Sequence, residues 1–168
     1  MNRYTMPGIF LLAAFLLAFE PAKAQNAGSG QFRLNPQEIK ALKTPASNAP
    51  GSSNYAAVRE FVVMGDPAKP GIYMIVLKIA ANTKIAAHLH PDQRVATVLS
   101  GTWYFGYGDV FDESKLKKLP AGSIYSEVAG QHHFAMTREP VIIEITGYGP
   151  SGVSYANPEN DPSKRKKQ

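Results

Sequence analysis

The chain contains no cysteine among its 168 residues. This absence excludes disulfide bonds, thiolate-bound zinc or iron–sulfur centres, and cysteine nucleophiles. It also excludes the lipid-modified cysteine that anchors lipoproteins. Stability must therefore come from the burial of apolar side chains or from a metal that other residues hold.

No apolar run is long enough to cross a bilayer comfortably, because a spanning helix takes about 20 residues. The run at residues 9–19 follows Arg3 and precedes the small-x-small pattern at 22–24, which is the order found in cleaved signal peptides. We expect cleavage before Gln25, a periplasmic or secreted mature protein, and no stable membrane insertion after signal cleavage. The alternative is an uncleaved N-terminal membrane anchor.

Excess charge of one sign is scarce outside the C-terminus. The formal net charge is +5, but four basic residues stand together at 164–167. Such a segment is typical of a solvated, disordered tail, which we assign to residues 159–168. Because the rest of the chain is close to neutral, we expect no nucleic-acid partner.

The chain divides into four segments. They are a signal peptide (1–24), a flexible leader with a short helical turn (25–54), a β domain (55–158) and the basic tail (159–168). Within the leader, Asn35 and Pro36 suit the N-cap and first position of a helix. Residues 44–53 are rich in Pro, Gly, Ser and Ala and predict irregular surface chain.

Short apolar runs separated by turn residues fill the β domain. They predict strands at 57–64, 72–79, 84–88, 94–100, 102–107, 123–127, 133–137, 141–146 and 153–155. Many short strands at this spacing predict an all-β sandwich or barrel. Residues 112–118 begin with acidic and end with basic side chains, which predicts a short helical insert.

The four histidines of the chain fall in two tight clusters, His88 with His90 and His132 with His133. In an extended segment His88 and His90 project to the same face, where two imidazoles can clamp a metal ion. A third imidazole can come only from the second cluster. Since His132 and His133 are adjacent, they point to opposite faces of a strand, and only one of them can join.

Residues 82–101 resemble the first motif of the cupins: Gly, five residues, His-x-His, three or four residues, Glu, six residues, Gly. Residues 122–137 resemble the second motif: Gly, five residues, Pro-x-Gly-x-x-His, three residues, Asn. The resemblance covers roughly residues 71–146. It implies an antiparallel jelly-roll β-barrel that holds one divalent metal ion, with His88, His90 and His133 among the ligands.

The sequence departs from these motifs at four positions. Asn82, Val128 and Thr137 replace Gly, Pro and Asn, and the first change is mild because Asn tolerates the left-handed backbone. Arg94 stands where the ligand Glu is expected, and a guanidinium has no lone pair to give to a metal. Arg94 can bind an anionic substrate, but a surface salt bridge is the role we favour.

Three ways of filling the fourth coordination position remain open. Gln93 can ligate through its amide oxygen after a one-residue shift in register, Glu127 can supply the missing carboxylate, or the position stays open to water and substrate. We favour the amide, so the predicted metal ligands are His88, His90, His133 and Gln93.

Imidazole ligands suit Zn, Fe, Ni or Cu, and such an ion can activate water, polarise a carbonyl or bind dioxygen. We predict an exported small-molecule metalloenzyme of the oxygenase or hydrolase/lyase type; the alternative is a non-catalytic cupin that senses or captures a small ligand or a metal. The candidate catalytic residues are Glu127 and Arg94. No organic cofactor is predicted, and pairing of edge strands into a homodimer is compatible with the fold.

A pH dependence follows from the predicted ligands. Because imidazole must be neutral to ligate, we expect release of the metal as the pH falls towards and below about 6.5, shifted lower by the competition of the metal with protons.

Overall fold

The structure, a computed structural model, describes residues 31–43 and 52–164. Its elements are the helix α1 (Pro36–Ala41) and the strands β1 (Val58–Met64), β2 (Gly71–Ile79), β3 (Lys84–Leu89), β4 (Arg94–Ser100), β5 (Thr102–Tyr107), β6 (Lys117–Pro120), β7 (Ile124–Glu127), β8 (His133–Thr137), β9 (Val141–Gly149) and β10 (Ser154–Tyr155). The predicted signal peptide, residues 25–30 and 44–51 of the leader, and residues 165–168 of the tail lie outside the described residues. Within the described ranges no helix has the length and hydropathy needed to span a membrane.

The strands form two five-stranded sheets that face each other. The first sheet has the order β1-β2-β9-β4-β7, and the second has the order β10-β3-β8-β5-β6. Every pairing is antiparallel, as the register of each neighbouring pair shows. The prediction of an antiparallel jelly-roll barrel is confirmed.

Alternation of side chains along each strand builds the core between the sheets. In β9, Val141, Ile143 and Ile145 are buried, whereas the residues between them are partly exposed. Successive side chains of a strand point to opposite faces, so this pattern turns one face of β9 inward. Inward residues from the other strands complete one apolar cluster that spans both sheets.

Two turns explain why the cupin motifs carry glycine. Gly101 links β4 to β5 with a φ of 76°, and a Cβ at this position would lie 2.5 Å from the carbonyl oxygen of Pro140. Asn82, which replaces the other motif glycine, has a φ of 55°. Asn is among the residues that tolerate this left-handed conformation, and the substitution therefore preserves the turn.

The predicted helical insert at 112–118 is wrong in length. Only Glu113–Lys115 forms a helical turn, of the 3-10 type, and Lys117 begins β6, which pairs with β5. Strand β6 was not predicted, because Leu119 is the only one of its residues that is buried and no apolar alternation results. Its lysines suit an edge strand, since exposed charge discourages pairing with another chain.

The predicted N-terminal helical turn is confirmed as α1. The side chain of Asn35 accepts hydrogen bonds from two backbone N–H groups of the first turn. At the other end, Nζ of Lys78 donates to the carbonyl oxygens of Lys40 and Leu42. These bonds hold the helix against the outer face of the first sheet. At the C-terminal side, Pro158–Asn160 and Pro162–Lys164 form two further 3-10 turns.

We expect the inward face of β9 to carry much of the stability. Ile143 is 1% exposed, so Ile143→Ala should lower the free energy of unfolding by about 2–5 kcal/mol through lost burial and a cavity. Ile142→Ala, at the adjacent outward position, should cost less than half as much. Urea unfolding of both variants measures the difference, and equal losses would contradict the assigned faces.

Candidate metal centre

The three histidines of the predicted site lie together inside the barrel. His88, near the end of β3, is the register partner of His133, the first residue of β8, and His90 follows β3 directly. All three are buried, at 5%, 2% and 2% exposure for His88, His90 and His133. One ring nitrogen from each lies within 4.8 Å of the others. The adjacent His132 is outside this cluster and bonds through Nδ1 to Oδ1 of Asp109, 2.7 Å away.

Backbone carbonyls orient two of the rings. Nδ1 of His88 lies 2.8 Å from the carbonyl oxygen of Ala86, and Nδ1 of His90 lies 2.5 Å from that of Gly152. A carbonyl can only accept, so each Nδ1 carries the proton and each Nε2 presents its lone pair. This is the arrangement usual for histidines that ligate through Nε2. Nε2 of His90 and of His133 has no hydrogen-bond partner in the part of the chain that the structure describes, and an ion would satisfy both.

Burial keeps the three imidazoles neutral. It lowers the pKa of His88 to about 3, with the neighbouring His133 acting in the same direction. It lowers the pKa of His133 to about 3 and holds that of His90 well below its usual range, and in both cases the positive charge of Arg94 adds to the effect. Proton competition with a bound metal therefore begins at a much lower pH than the ordinary imidazole value of 6.5 indicated.

Arg94 and Glu127 form a buried ion pair beside the histidines. They are register partners in β4 and β7 and are 3% and 4% exposed. Nε of Arg94 donates to Oε2 of Glu127 at 2.7 Å, and Nη2 donates to the same oxygen. The predicted salt bridge of Arg94 is therefore present, but the prediction that it lies at the surface is wrong, because alternation turns Arg94 inward.

Glu127 brings its carboxylate to the histidines. Its Oε2 lies 3.8 Å from Nε2 of His90 and 3.7 Å from Nε2 of His133. Ligand atoms that share one metal at about 2.0–2.2 Å lie roughly 3–4 Å apart. The carboxylate oxygen and the two ring nitrogens have separations in that range.

Gln93 is not brought to the histidines. It is exposed, and its Oε1 accepts a hydrogen bond of 3.4 Å from the backbone N–H of Ala129. Gln93 precedes β4, and since Arg94 faces inward, its neighbour faces outward. The one-residue shift that a Gln93 ligand requires would turn Arg94 out of the barrel and break its pairing with Glu127.

A second polar network lies next to His90. The hydroxyl of Tyr73 donates to Oδ2 of Asp92 at 2.6 Å, and Oγ of Ser151 donates to Oδ1 at 2.8 Å. Burial raises the pKa of Tyr73 to about 12. Asp92 was not among the predicted site residues, although its two-residue spacing from His90 and from Arg94 places all three on one face.

Glu60, a buried acid in β1, was also not among the predicted site residues. Glu60 is 6% exposed, and neither of its carboxylate oxygens has a hydrogen-bond partner among the described residues. Its alternation with Val58 and Val62 predicts an inward position. That pattern was available in the sequence, but Glu60 stands outside both cupin motifs.

The histidines border a small cavity of about 30 Å³. Arg94 and Glu127 are also among its lining residues, and most of the others are apolar, including Ile85, Trp103 and Ile143. A space of this size holds a metal ion with one or two water-sized ligands. A larger molecule requires side chains to move.

Residues from near the two ends of the range 52–164 meet beside His88. Tyr155 of β10 is the register partner of His88, and the two ring centroids are 5.5 Å apart. The hydroxyl of Tyr155 donates to the carbonyl oxygen of Ser53, and Ser53 lines the cavity. The segment before β1 and the last strand therefore meet at the site.

The neutral histidines predict acid sensitivity of the protein under metal-free conditions. Their folded pKa values lie below the ordinary 6.5, so their stabilising effect is complete above pH 6.5 and declines as the pH falls from there towards 3. Each histidine adds a slope of up to about 1.4 kcal/mol per pH unit. In the presence of a chelator, His88→Gln should reduce the slope of unfolding free energy against pH by about that amount, and His88→Gln/His133→Gln by about twice as much. Slopes equal to the wild type would contradict buried, neutral imidazoles.

Solved structures with the same arrangement of sheets are known. The polyketide cyclase RemF from Streptomyces resistomycificus has a TM-score of 0.60 at 14% identity, covering 79% of this chain and 90% of that one. The DMSP lyase DddQ from Ruegeria pomeroyi has a TM-score of 0.54 at 18% identity, covering 77% of this chain and 62% of that one. An uncharacterised protein from Klebsiella pneumoniae with a double-stranded β-helix domain has a TM-score of 0.53 at 24% identity, covering 76% and 99%.

These similarities concern the fold, since the sequences have diverged widely. No family model and no curated protein matches the sequence. The shared architecture nevertheless agrees with the two motifs at residues 82–101 and 122–137, whose histidines meet inside the barrel. The chain therefore has the double-stranded β-helix fold, the barrel that the resemblance of its two motifs to those of the cupins implies.

Proposed function

We propose that this protein is an exported cupin that binds one divalent metal ion through His88, His90 and His133 and uses it on a small molecule. The observation that carries the proposal is the meeting of three neutral, buried imidazoles whose ligand nitrogens lie within 4.8 Å of one another. Buried polar atoms without partners are rare in folded proteins. The unpartnered Nε2 atoms of His90 and His133 fit a metal that supplies the missing interaction.

Glu127 is the fourth ligand in this proposal. The cupin motif places its carboxylate at the position of Arg94, and here the cross-strand partner Glu127 carries it instead. Both positions belong to neighbouring strands and face the same interior, so the carboxylate reaches the histidines from β7 rather than β4. Arg94 holds Glu127 in place by donating hydrogen bonds from Nε and Nη2. Three nitrogen ligands and one oxygen ligand suit Zn, Fe, Ni or Cu.

The residues around the site define what it does with a small molecule. A bound divalent ion supplies Lewis acidity, and an iron or copper ion also supplies binding of dioxygen. The apolar walls at Ile85, Trp103 and Ile143 exclude bulk water. The Arg94 guanidinium keeps a positive charge beside Glu127, which favours ligands that develop negative charge next to the metal. These properties support oxygenase or hydrolase/lyase chemistry.

The similar structures do not choose between these reactions. A polyketide cyclase and a DMSP lyase share the fold, and one fold supports many unrelated activities. Their relevance is that small molecules are acted on by proteins of this architecture.

A non-catalytic role is the second candidate, and the cavity of about 30 Å³ favours it. A chamber this small suits capture of the ion itself or of a very small ligand. Oxygen uptake or product formation across a panel of small organic molecules distinguishes the two roles. Saturable binding without turnover would support the sensory or ligand-capturing cupin.

Export is proposed from the sequence of residues 1–24. The order of Arg3, the apolar run and the small-x-small pattern supports cleavage before Gln25 and a periplasmic or secreted protein. The N-terminal residue of the mature protein tests this proposal directly.

The metal itself is tested by binding measurements on the mature, untagged protein. We expect about one divalent ion per chain, and His133→Gln should weaken zinc binding by at least about 100-fold, because losing a ligand costs more than losing an outer partner. His132→Gln is the matched control, since it changes the neighbouring histidine outside the cluster, and it should bind as the wild type does. Equal binding by His133→Gln and the wild type would contradict the three-histidine site.

The fourth ligand is tested by a second pair of variants. Glu127→Gln should weaken zinc binding by about 10-fold or more, because a neutral amide is a poorer ligand than a carboxylate. Gln93→Ala should leave the affinity unchanged, as Gln93 lies outside the cavity. The reverse result would assign the fourth position to Gln93, and no effect in either variant would leave it to water.

A further inference from the structure

Glu60 is a buried acid that neither cupin motif includes and that the proposed metal site does not use. It lies in β1 directly opposite Leu77 of β2, and Leu77 lines the cavity of the histidines. Directly opposed residues of an antiparallel pair project to the same face. Glu60 therefore points into the barrel, where it is 6% exposed.

The environment of Glu60 favours its neutral form. Neither carboxylate oxygen has a hydrogen-bond partner among the described residues, and burying an ionised carboxylate without a partner is unfavourable. Burial raises the pKa of Glu60 to about 8, although the positive charge of Arg94 acts in the opposite direction. At pH 7 Glu60 therefore carries its proton.

Arg94 is the charged group whose field changes the pKa of Glu60. Arg59, the preceding residue of β1, is exposed on the outer face. Lys78 of β2 also lies on that face, where its Nζ donates to carbonyl oxygens at the end of α1. The charge of Arg94 is in turn balanced by Glu127.

A divalent ion changes this balance. Inside the described barrel, Arg94 is paired with Glu127, the histidines are neutral, Glu60 is protonated, and Asp92 accepts hydrogen bonds from Tyr73 and Ser151. The ion adds two positive charges to a medium of low dielectric constant, where Coulomb interactions extend over many ångströms. A negative charge on Glu60 then becomes favourable.

We infer that Glu60 balances the charge of a divalent ion bound at the three histidines, and that it gives up its proton when the ion binds. This inference rests on the proposed function. The step is balanced: the ion enters, Glu60 becomes a carboxylate and one proton passes to the solvent. The affinity for the ion should therefore rise about tenfold per pH unit below pH 8 on account of Glu60 alone, since the histidines are already neutral there.

The test is the number of protons released per zinc ion bound at pH 7, measured with zinc chloride on the mature protein in weakly buffered solution. We expect the wild type to release about one proton more than Glu60→Gln. Any proton lost from zinc-bound water is released by both proteins and cancels in the difference. Glu144→Gln is the matched control, because Glu144 lies on the outer face of the same sheet and bonds to Thr146; it should match the wild type.

Each outcome decides a different point. If both proteins bind zinc and release equal numbers of protons, the role of Glu60 is overturned and the metal site stands. If the wild type binds no zinc, the proposed function fails, and the inference fails with it. Should Glu60→Gln not fold, the infrared spectrum of the wild type replaces it: zinc should abolish a protonated-carboxyl band, and an unchanged spectrum would overturn the inference.

Discussion

The buried ion pair between Arg94 and Glu127 is the interaction around which the metal centre is arranged. It joins β4 to β7 inside the first sheet, and its carboxylate reaches the histidines of the second sheet. Burying either charge alone would be strongly unfavourable, so the two residues depend on each other. Arg94 also lowers the pKa values of His90 and His133 and opposes the rise in that of Glu60. One guanidinium thus influences the three histidines and Glu60 alike.

Much of the fold could be predicted because alternation of apolar and polar residues is a local signal. Strands β4, β5 and β8 have the bounds that the sequence predicted. Strand β6 was not predicted because it buries only one side chain. Its pairing with β5 is made by backbone groups, which an amino-acid pattern does not reveal. The helical insert was predicted too long for a similar reason. The charge pattern of residues 112–118 favours a helix, but its last two residues pair with β5 as part of β6.

The site was predictable where motif spacing determines it and less so where a partner comes from another strand. Spacing grouped His88 with His90, and the cupin resemblance pointed to His133. The burial of Arg94 was not predicted, because it depends on the pairing with Glu127, which lies 33 residues away in the sequence. Gln93 stands next to Arg94 and has an amide oxygen that can ligate after a one-residue shift in register, whereas a guanidinium cannot ligate. The ion pair with Glu127 instead keeps Arg94 inside the barrel, and its neighbour Gln93 therefore faces outward.

The contact between Tyr155 and Ser53 has a consequence for how the protein reaches its working state. The two residues are separated by 102 positions in the chain, yet together they close the wall beside His88. Long-range contacts of this kind form late, because the entropy of closing a large loop must be overcome first. A nascent chain can place all three histidines before residue 155 has emerged, but it cannot seal them from solvent. The wall beside His88 is therefore completed only after residue 155 has joined the fold, and a protein truncated before β10 would leave His88 open to solvent on that side.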